Sequence, residues 1–261
     1  MIFYFSGTGN SLWVAKELRH SFNGDFISIA DELNAKDNSF QYTIEADEKI
    51  FFVFPVHSWG PVVVVLRFIE KLIIKNYHSQ NIYVIATCGD NCGNTSHILE
   101  KSLKKRGLQL TKSYSIAMPN NYILMKGFGL DSKELEQQKL QAASIHLHDI
   151  VEDIKAEGKN ELYEKGKFAC LKSGFIYPMF KTFAIKHNSF YATDACISCG
   201  LCVKICPTKT ISMTENKPNW SNKCIQCCGC IHRCPERAIE WGKITLEQER
   251  YVHPDLRIKN E

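Results

Sequence analysis

Met1-Ile2-Phe3-Tyr4-Phe5 is an apolar run that passes directly into Ser6-Gly7-Thr8-Gly9-Asn10-Ser11, and this stretch decides how the first half of the chain folds. Five bulky residues suit a buried strand, and Val14, Ala15 and Leu18 then share one helical face. The polar turn therefore sits between a strand and a helix. Such a turn binds phosphate, because N–H groups at a helix start face an anion and hydroxyls add donors. A Walker A loop would need Gly-Lys-Ser/Thr where Asn10-Ser11 stands, and a dinucleotide fingerprint would need a third glycine at Leu12. What remains is a loop with hydroxyls in place of the lysine, or a plain glycine-containing turn.

Working outward, the strand–helix alternation continues. Residues 25–29, 49–54, 81–87 and 110–117 read as strands, and residues 96–105 read as a helix. Leu147, Ile150, Val151 and Ile154 form the buried stripe of a closing helix. Strands separated by helices predict an α/β fold, a doubly wound five-stranded parallel sheet. Ligands bind such sheets at the carboxyl ends of strands beside the point where strand order reverses. The loops after the first, third and fourth strands should therefore converge. They are Ser6–Ser11, Pro55-Val56-His57-Ser58-Trp59-Gly60 and Thr87-Cys88-Gly89-Asp90-Asn91, all rich in Gly, Asn, Ser or Pro.

The second half contains one cysteine spacing used twice. Cys196, Cys199, Cys202 and Cys206 precede Pro207; Cys224, Cys227, Cys230 and Cys234 precede Pro235, and a shift of 28 positions maps one set on the other. Zinc sites pair two C-x2-C turns across a longer gap, and disulfides need an oxidising compartment. C-x2-C-x2-C-x3-C-P instead resembles the two-cluster bacterial ferredoxins. That resemblance implies two [4Fe–4S] clusters with the fourth cysteine exchanged: Cys196, Cys199, Cys202 and Cys234 on one, Cys224, Cys227, Cys230 and Cys206 on the other.

Ser6, Thr8, Asn10 and Ser11 match the S/T-x-T-G-N-S/T phosphate loop of flavodoxins, so residues 1–160 resemble that family and the whole resembles flavodoxin–ferredoxin fusion proteins. The resemblance implies FMN, with its phosphate at Ser6–Ser11 and its ring between the other two loops. Trp59 offers an aromatic face and His57 stands beside it. Loop 87–91 has no aromatic residue, which leaves one flavin face open on this expectation. The expected organisation is a flavodoxin-like domain over 1–160, an apolar and basic tether over 161–190, and a small α+β dicluster ferredoxin-like domain with a tail over 191–261.

Charge is divided unevenly: 17 Lys and Arg against 18 Asp and Glu in residues 1–160, and 15 against 10 in residues 161–261. Two oxidised four-thiolate clusters would bring about −4 and offset that excess. No basic run with interleaved aromatics points to nucleic acid. The first strand opens at Met1, leaving no stretch for a signal peptide, and the longest apolar runs are too short to cross a bilayer. A cytoplasmic location is expected, and oxygen-labile clusters favour an anaerobic one.

The nine histidines show no metal-ligand spacing. Cys228 falls on Gly200 under the 28-residue shift and reads as a surplus small residue. Cys88, Cys92 and Cys170 read as structural, with a redox disulfide between the first two as the alternative. The expected function is electron transfer between FMN, the clusters and a redox partner protein. The alternative is a reductase of a small molecule, for which only His57 and Asp90 offer acid–base groups; a cluster-based sensor would need no flavin. Residues 168–185, bulky apolar groups among lysines, are expected to pack on the domains, or to offer weak contact with a membrane or partner.

Overall fold

The computed structural model describes residues 1–35, 40–185 and 188–256. The first half alternates β1 (Ile2–Tyr4), α1 (Asn10–Phe22), β2 (Phe26–Ser28), α2 (Ile29–Asn34), β3 (Phe40–Thr43), β4 (Ile50–His57), β5 (Gly60–Pro61), α3 (Val63–Lys71), β6 (Leu72–Lys75), β7 (Ile82–Cys88), α4 (Thr95–Lys104), β8 (Lys112–Ala117) and α5 (Lys133–Lys155). The main sheet runs β2-β1-β4-β7-β8 and is parallel throughout. Counted by its five strands this is the order 2-1-3-4-5, the flavodoxin-like doubly wound sheet with its reversal between β1 and β4.

Both faces are covered, as successive side chains on a strand point opposite ways. Phe52 and Phe54 of β4 pack with Phe3, Phe68 and Leu99 on the side of α3 and α4. Phe51 and Val53 pack with Val14 and Leu18 of α1 and Ile150 and Ile154 of α5. Two features were not expected. β4 runs through Pro55 to His57 before folding back into β5, because Ser58 and Trp59 both take positive φ, 49° and 62°, which a two-residue hairpin turn of this hand requires. β3 and β6 also form a separate parallel pair beside the sheet.

The segment expected as a tether is a helix over Ala169–Ala184, the bridging helix between the two units. It is α-helical over Ala169–Leu171 and Tyr177–Met179, and wound as a wider π-helix over Lys172–Ile176 and Phe180–Ala184. Such widening is frequent near functional sites. Beyond it, β9 (Phe190–Ala192) pairs with β12 (Ile239–Trp241), and β10 (Ile211–Thr214) with β11 (Lys217–Trp220), all antiparallel.

The internal repeat is visible in the backbone. Shifted by 28, helix Leu201–Lys204 falls on Gly229–Arg233, and β10 falls on β12. The left-handed residues Ser198, Gly200 and Lys209 fall on Gln226, Cys228 and Arg237, which are also left-handed. Each two-stranded sheet takes one strand from each repeat, so the halves are exchanged as well as duplicated.

The two units interlock. Ile225, from the cysteine-rich unit, is buried in the core beneath the main sheet. Ile123 and Leu124, from the loop after β8, are buried in the core of the cysteine-rich unit with Phe190, Trp220 and Trp241. A boundary at residue 160 therefore separates the sequence patterns but not the packing.

Candidate functional site

The eight cysteines of the repeat line two hollows. Cys196, Cys199, Cys202 and Cys234 surround one, and Cys206, Cys224, Cys227 and Cys230 surround the other. Each contains three thiols of the C-x2-C-x2-C run of one repeat and the fourth cysteine of its mate, and Cys228 also lines the second hollow. Among the described residues no three His, Cys, Asp or Glu side chains converge closely enough to grip a single metal ion. Backbone N–H groups point at the sulfurs: Thr210 at Cys206 and Ala238 at Cys234, each 3.4 Å and related by the 28-residue shift, with Gln226 at Cys224 also 3.4 Å. Bonds of this type favour the thiolate and help set a cluster's potential. Burial pushes the metal-free Cys224 thiol up to about 11 and Cys227 to about 12, so loading would release protons. Four thiols are the donor set that a four-iron cluster would take.

The three Gly- and Asn-rich loops meet at a cavity of about 570 Å3 at the carboxyl end of the sheet. Ser6, Gly7, Thr8, Asn10 and Ser11, Pro55 to Trp59, and Thr87 to Asn91 all line it. That volume is in the range of about 300–1,000 Å3 found for small-ligand sites. Helix α1 makes its first backbone bond from Trp13 to Gly9, so the N–H groups before Trp13 stand outside the helical ladder at the loop. Ser11 Oγ and Thr87 Oγ1 are 2.7 Å apart and tie two of the loops together. The arrangement fits a phosphate on α1 and a flat ring between the hairpin at Trp59 and the loop after β7.

Two glycines of the expected site do not line the cavity. A Cβ on Gly9 would meet His253 and Leu256, and one on Gly60 would meet the Tyr177 ring. Gly7 does line it, yet a Cβ there would run into the Cys227 carbonyl, so its bareness also serves the approach of the cysteine-rich unit. Asn10 lines the cavity and is also tied to neighbouring segments. Its amide donates to the Pro119 carbonyl at 3.0 Å and its oxygen accepts from the Tyr251 hydroxyl at 2.6 Å, so its side chain holds the loop to its neighbours.

A fourth loop, after β8, also reaches the site. Asn120, Asn121 and Tyr122 line the cavity, and Asn121 donates to Thr8 Oγ1 at 2.7 Å. Asp131 receives both the Asn120 backbone N–H and its amide, and pairs with Lys139 at 2.8 Å. Although burial opposes it, the Lys139 ammonium and the Asn120 donors hold the Asp131 carboxyl below its ordinary range. The signal available in sequence was position: this loop follows the fifth strand and opens at the same end of the sheet.

The face expected to stand open is covered. Ile176, Met179, Phe180 and Phe183 of the bridging helix line the cavity, and Tyr122 meets Phe180 edge-on with centroids 6.1 Å apart. The helix is anchored on the ring loops. Ser173 Oγ donates to the Trp59 carbonyl at 2.6 Å, Tyr177 Oη to the Pro61 carbonyl at 2.6 Å, and Lys172 Nζ lies 5.1 Å from the centre of the Trp59 ring. Gln226, Cys227 and Cys228 close another wall. The C-terminal tail straps the phosphate loop from outside: His253 N–H donates to the Thr8 carbonyl at 2.9 Å and its ring stacks on Trp13.

Cys88 lines the cavity and Cys92 is fully buried behind it; hydrogen bonding with Cys88, with burial, pushes the Cys92 thiol up. Cys170 is exposed and accepts from Asn94 at 3.6 Å. Asp90 lines the rim and is exposed.

His57 faces the cavity, and burial pushes its pKa from an ordinary 6.5 down to about 4. Burial likewise lowers His232 to about 4, against the Asn121 carbonyl at 2.6 Å and with help from Arg250. Its Nδ1 accepts the Tyr251 N–H, so the neutral ring bridges the tail to the loop after β8. Both pKa values are lowered on folding, so between about pH 6.5 and 4 the unfolded chain binds more protons than the folded one. Stability should be fully present above that window and fall as pH drops through it. Melting curves across the window should show this fall, and His57→Gln should make it shallower. An unchanged slope would mean that His57 is not held neutral by burial.

Residues 191–212 match the 4Fe-4S binding domain model. No curated protein matches the chain. Similar solved structures include a candidate flavoprotein of Bacteroides uniformis, 17% identical over 54% of this chain and 96% of that one, TM-score 0.34. They also include the Trp repressor binding protein of Bacillus subtilis, 18% identical over 55% and 94%, TM-score 0.33. A third is a Fusobacterium nucleatum flavodoxin bound to flavin mononucleotide, 13% identical over 60% and 97%, TM-score 0.34. At such scores the strand order and crossing directions, not these likenesses, define the fold. The chain joins a flavodoxin-like sheet to a ferredoxin-like unit containing a 4Fe-4S binding domain.

Proposed function

We propose that this chain is an electron-transfer protein with FMN in the 570 Å3 cavity and a [4Fe–4S] cluster in each cysteine-lined hollow. Bound there, a flavin exchanges electrons one or two at a time and each cluster one, which matches a two-electron partner to a one-electron chain. One observation carries the proposal. Cys227 lines both the hollow with Cys206, Cys224 and Cys230 and the cavity with the phosphate loop, as do its neighbours Gln226 and Cys228, so one short stretch belongs to both sites.

The chain's own residues supply placement and insulation. Gly7 lets the Cys227 backbone approach the loop. Tyr122 and Phe180, with the bridging helix, exclude water from the ring side of the cavity. Ser6, Thr8 and Ser11 offer hydroxyls where a terminal phosphate would rest. FMN should therefore bind and FAD should not. Thr8→Ala should weaken FMN by about 1–3 kcal/mol, the cost of leaving phosphate acceptors unpaired. A flavin-binding titration checks this, and riboflavin binding as tightly as FMN would contradict it.

A second function, reduction of a small molecule at the cavity mouth, draws on the cavity's size and on His57 and Asp90 in its lining. His57 is neutral near pH 7 and lacks the pKa that general acid catalysis prefers. Asp90→Ala and His57→Ala would each cut turnover of an added substrate on that account, and would leave electron transfer to a partner protein unchanged on ours.

A further inference from the structure

The bridging helix presents two unlike faces. Ala169, Ser173 and Tyr177, four residues apart, are buried against the ring loops. Leu171 and Phe175, also four apart, face outward and are 57% and 60% exposed, and Met179 and Phe183 continue the row at the edge of the cavity, 45% and 68% exposed. Phe168 extends the row and is 75% exposed. An α-turn takes about 3.6 residues; alternating such turns with wider π turns keeps residues four apart in one line, so the winding straightens both stripes. A row of large apolar side chains along one helix is unusual on a protein surface and marks an interaction site.

Charge identifies the occupant. Residues 165–193 contain five lysines and no aspartate or glutamate. Lys165 and Lys167 are exposed at the start of the helix and Lys181 near its end, where it lies over Tyr177 rather than in the apolar row. Apolar groups in the centre with lysines flanking them, and no acidic residue between Glu164 and Asp194, fit an interface in which hydrocarbon lies beneath and anionic headgroups lie around. No helix among the described residues is long and apolar enough to cross a membrane. A helix of this length would lie flat, its lysine stems reaching sideways to the headgroups.

We infer that the outer face of the bridging helix docks on an anionic lipid surface. The FMN- and cluster-loaded protein floated with vesicles of phosphatidylglycerol and phosphatidylcholine should bind them, bind phosphatidylcholine alone far more weakly, and come off in high salt. Phe175→Glu should lower binding about tenfold or more by placing a charge where an aromatic ring would be buried. Lys165→Glu with Lys167→Glu should do the same through the headgroups. Neither variant touches the cavity or the hollows, so FMN and iron content should stay as in the parent. Absence of vesicle binding, equal binding to neutral vesicles, or binding that Phe175→Glu leaves intact would overturn the inference. A lipid-free dimer that Phe175→Glu dissociates would also overturn it, and would assign the face to a second copy.

Discussion

Replacing Cys230 with alanine should lower the iron of reconstituted protein from about eight to about four per chain, because a four-iron cube needs its four thiolates. Cys230 lines one hollow with Cys206, Cys224 and Cys227. Cys228, one of its neighbours, should behave differently. It caps helix Gly229–Arg233 at φ 58°, in the place that Gly200 fills at φ 71° in the other repeat. Cys228→Gly restores the repeat's own residue where L side chains are strained, and should leave the iron count unchanged. Iron and acid-labile sulfide assays read both outcomes. Loss of iron from Cys228→Gly would make Cys228 a ligand and break the repeat.

Gly7→Ala should damage both cofactor sites at once. A methyl at Gly7 would collide with the Cys227 carbonyl, and Gly229 packs on Gly7 from the same side. Both contacts are backbone and cannot swing aside as a long side chain would. Overpacking of this kind costs about 1–3 kcal/mol, about a 5- to 150-fold loss if it falls on FMN affinity. The cluster held by Cys227 should also become more labile to oxygen. If Gly7 served the phosphate loop alone, FMN would weaken while the iron kept its full stability, and a paired titration and bleaching experiment separates the two.

Much of this was legible before any coordinate. The doubly wound parallel sheet follows from strands separated by helices, and the meeting of three loops from the rule that such sheets bind ligands at the carboxyl ends of their strands; the order 2-1-3-4-5 came from the structure. The exchange of fourth cysteines follows from the C-x3-C-P endings. What sequence did not show was how the parts meet. Ile225 reads as an ordinary residue between cysteines, but it is buried in the other unit's core. Ile123 and Leu124 lie in a stretch without period, and they are core residues of the cysteine-rich unit. Contacts between residues more than a hundred positions apart leave no local pattern. The bridging helix was obscured for another reason: Gly174 and Pro178 interrupt it, and mixed α and π winding spreads its apolar residues off the usual spacing. A chain cut near Gly166 should stay associated, since Ile225 and Ile123 still hold the two units together.

The central claim is that flavin and clusters share one body, joined at Cys227. Stopped-flow reduction of the loaded protein under anaerobic conditions, with a donor that reduces the clusters first, tests it most directly. Flavin bleaching should follow at a rate that does not change as protein concentration is raised, in the intact chain and in the chain cut near Gly166. A rate that rises in proportion to protein concentration would mean that the flavin is reduced by other molecules, and would contradict the account.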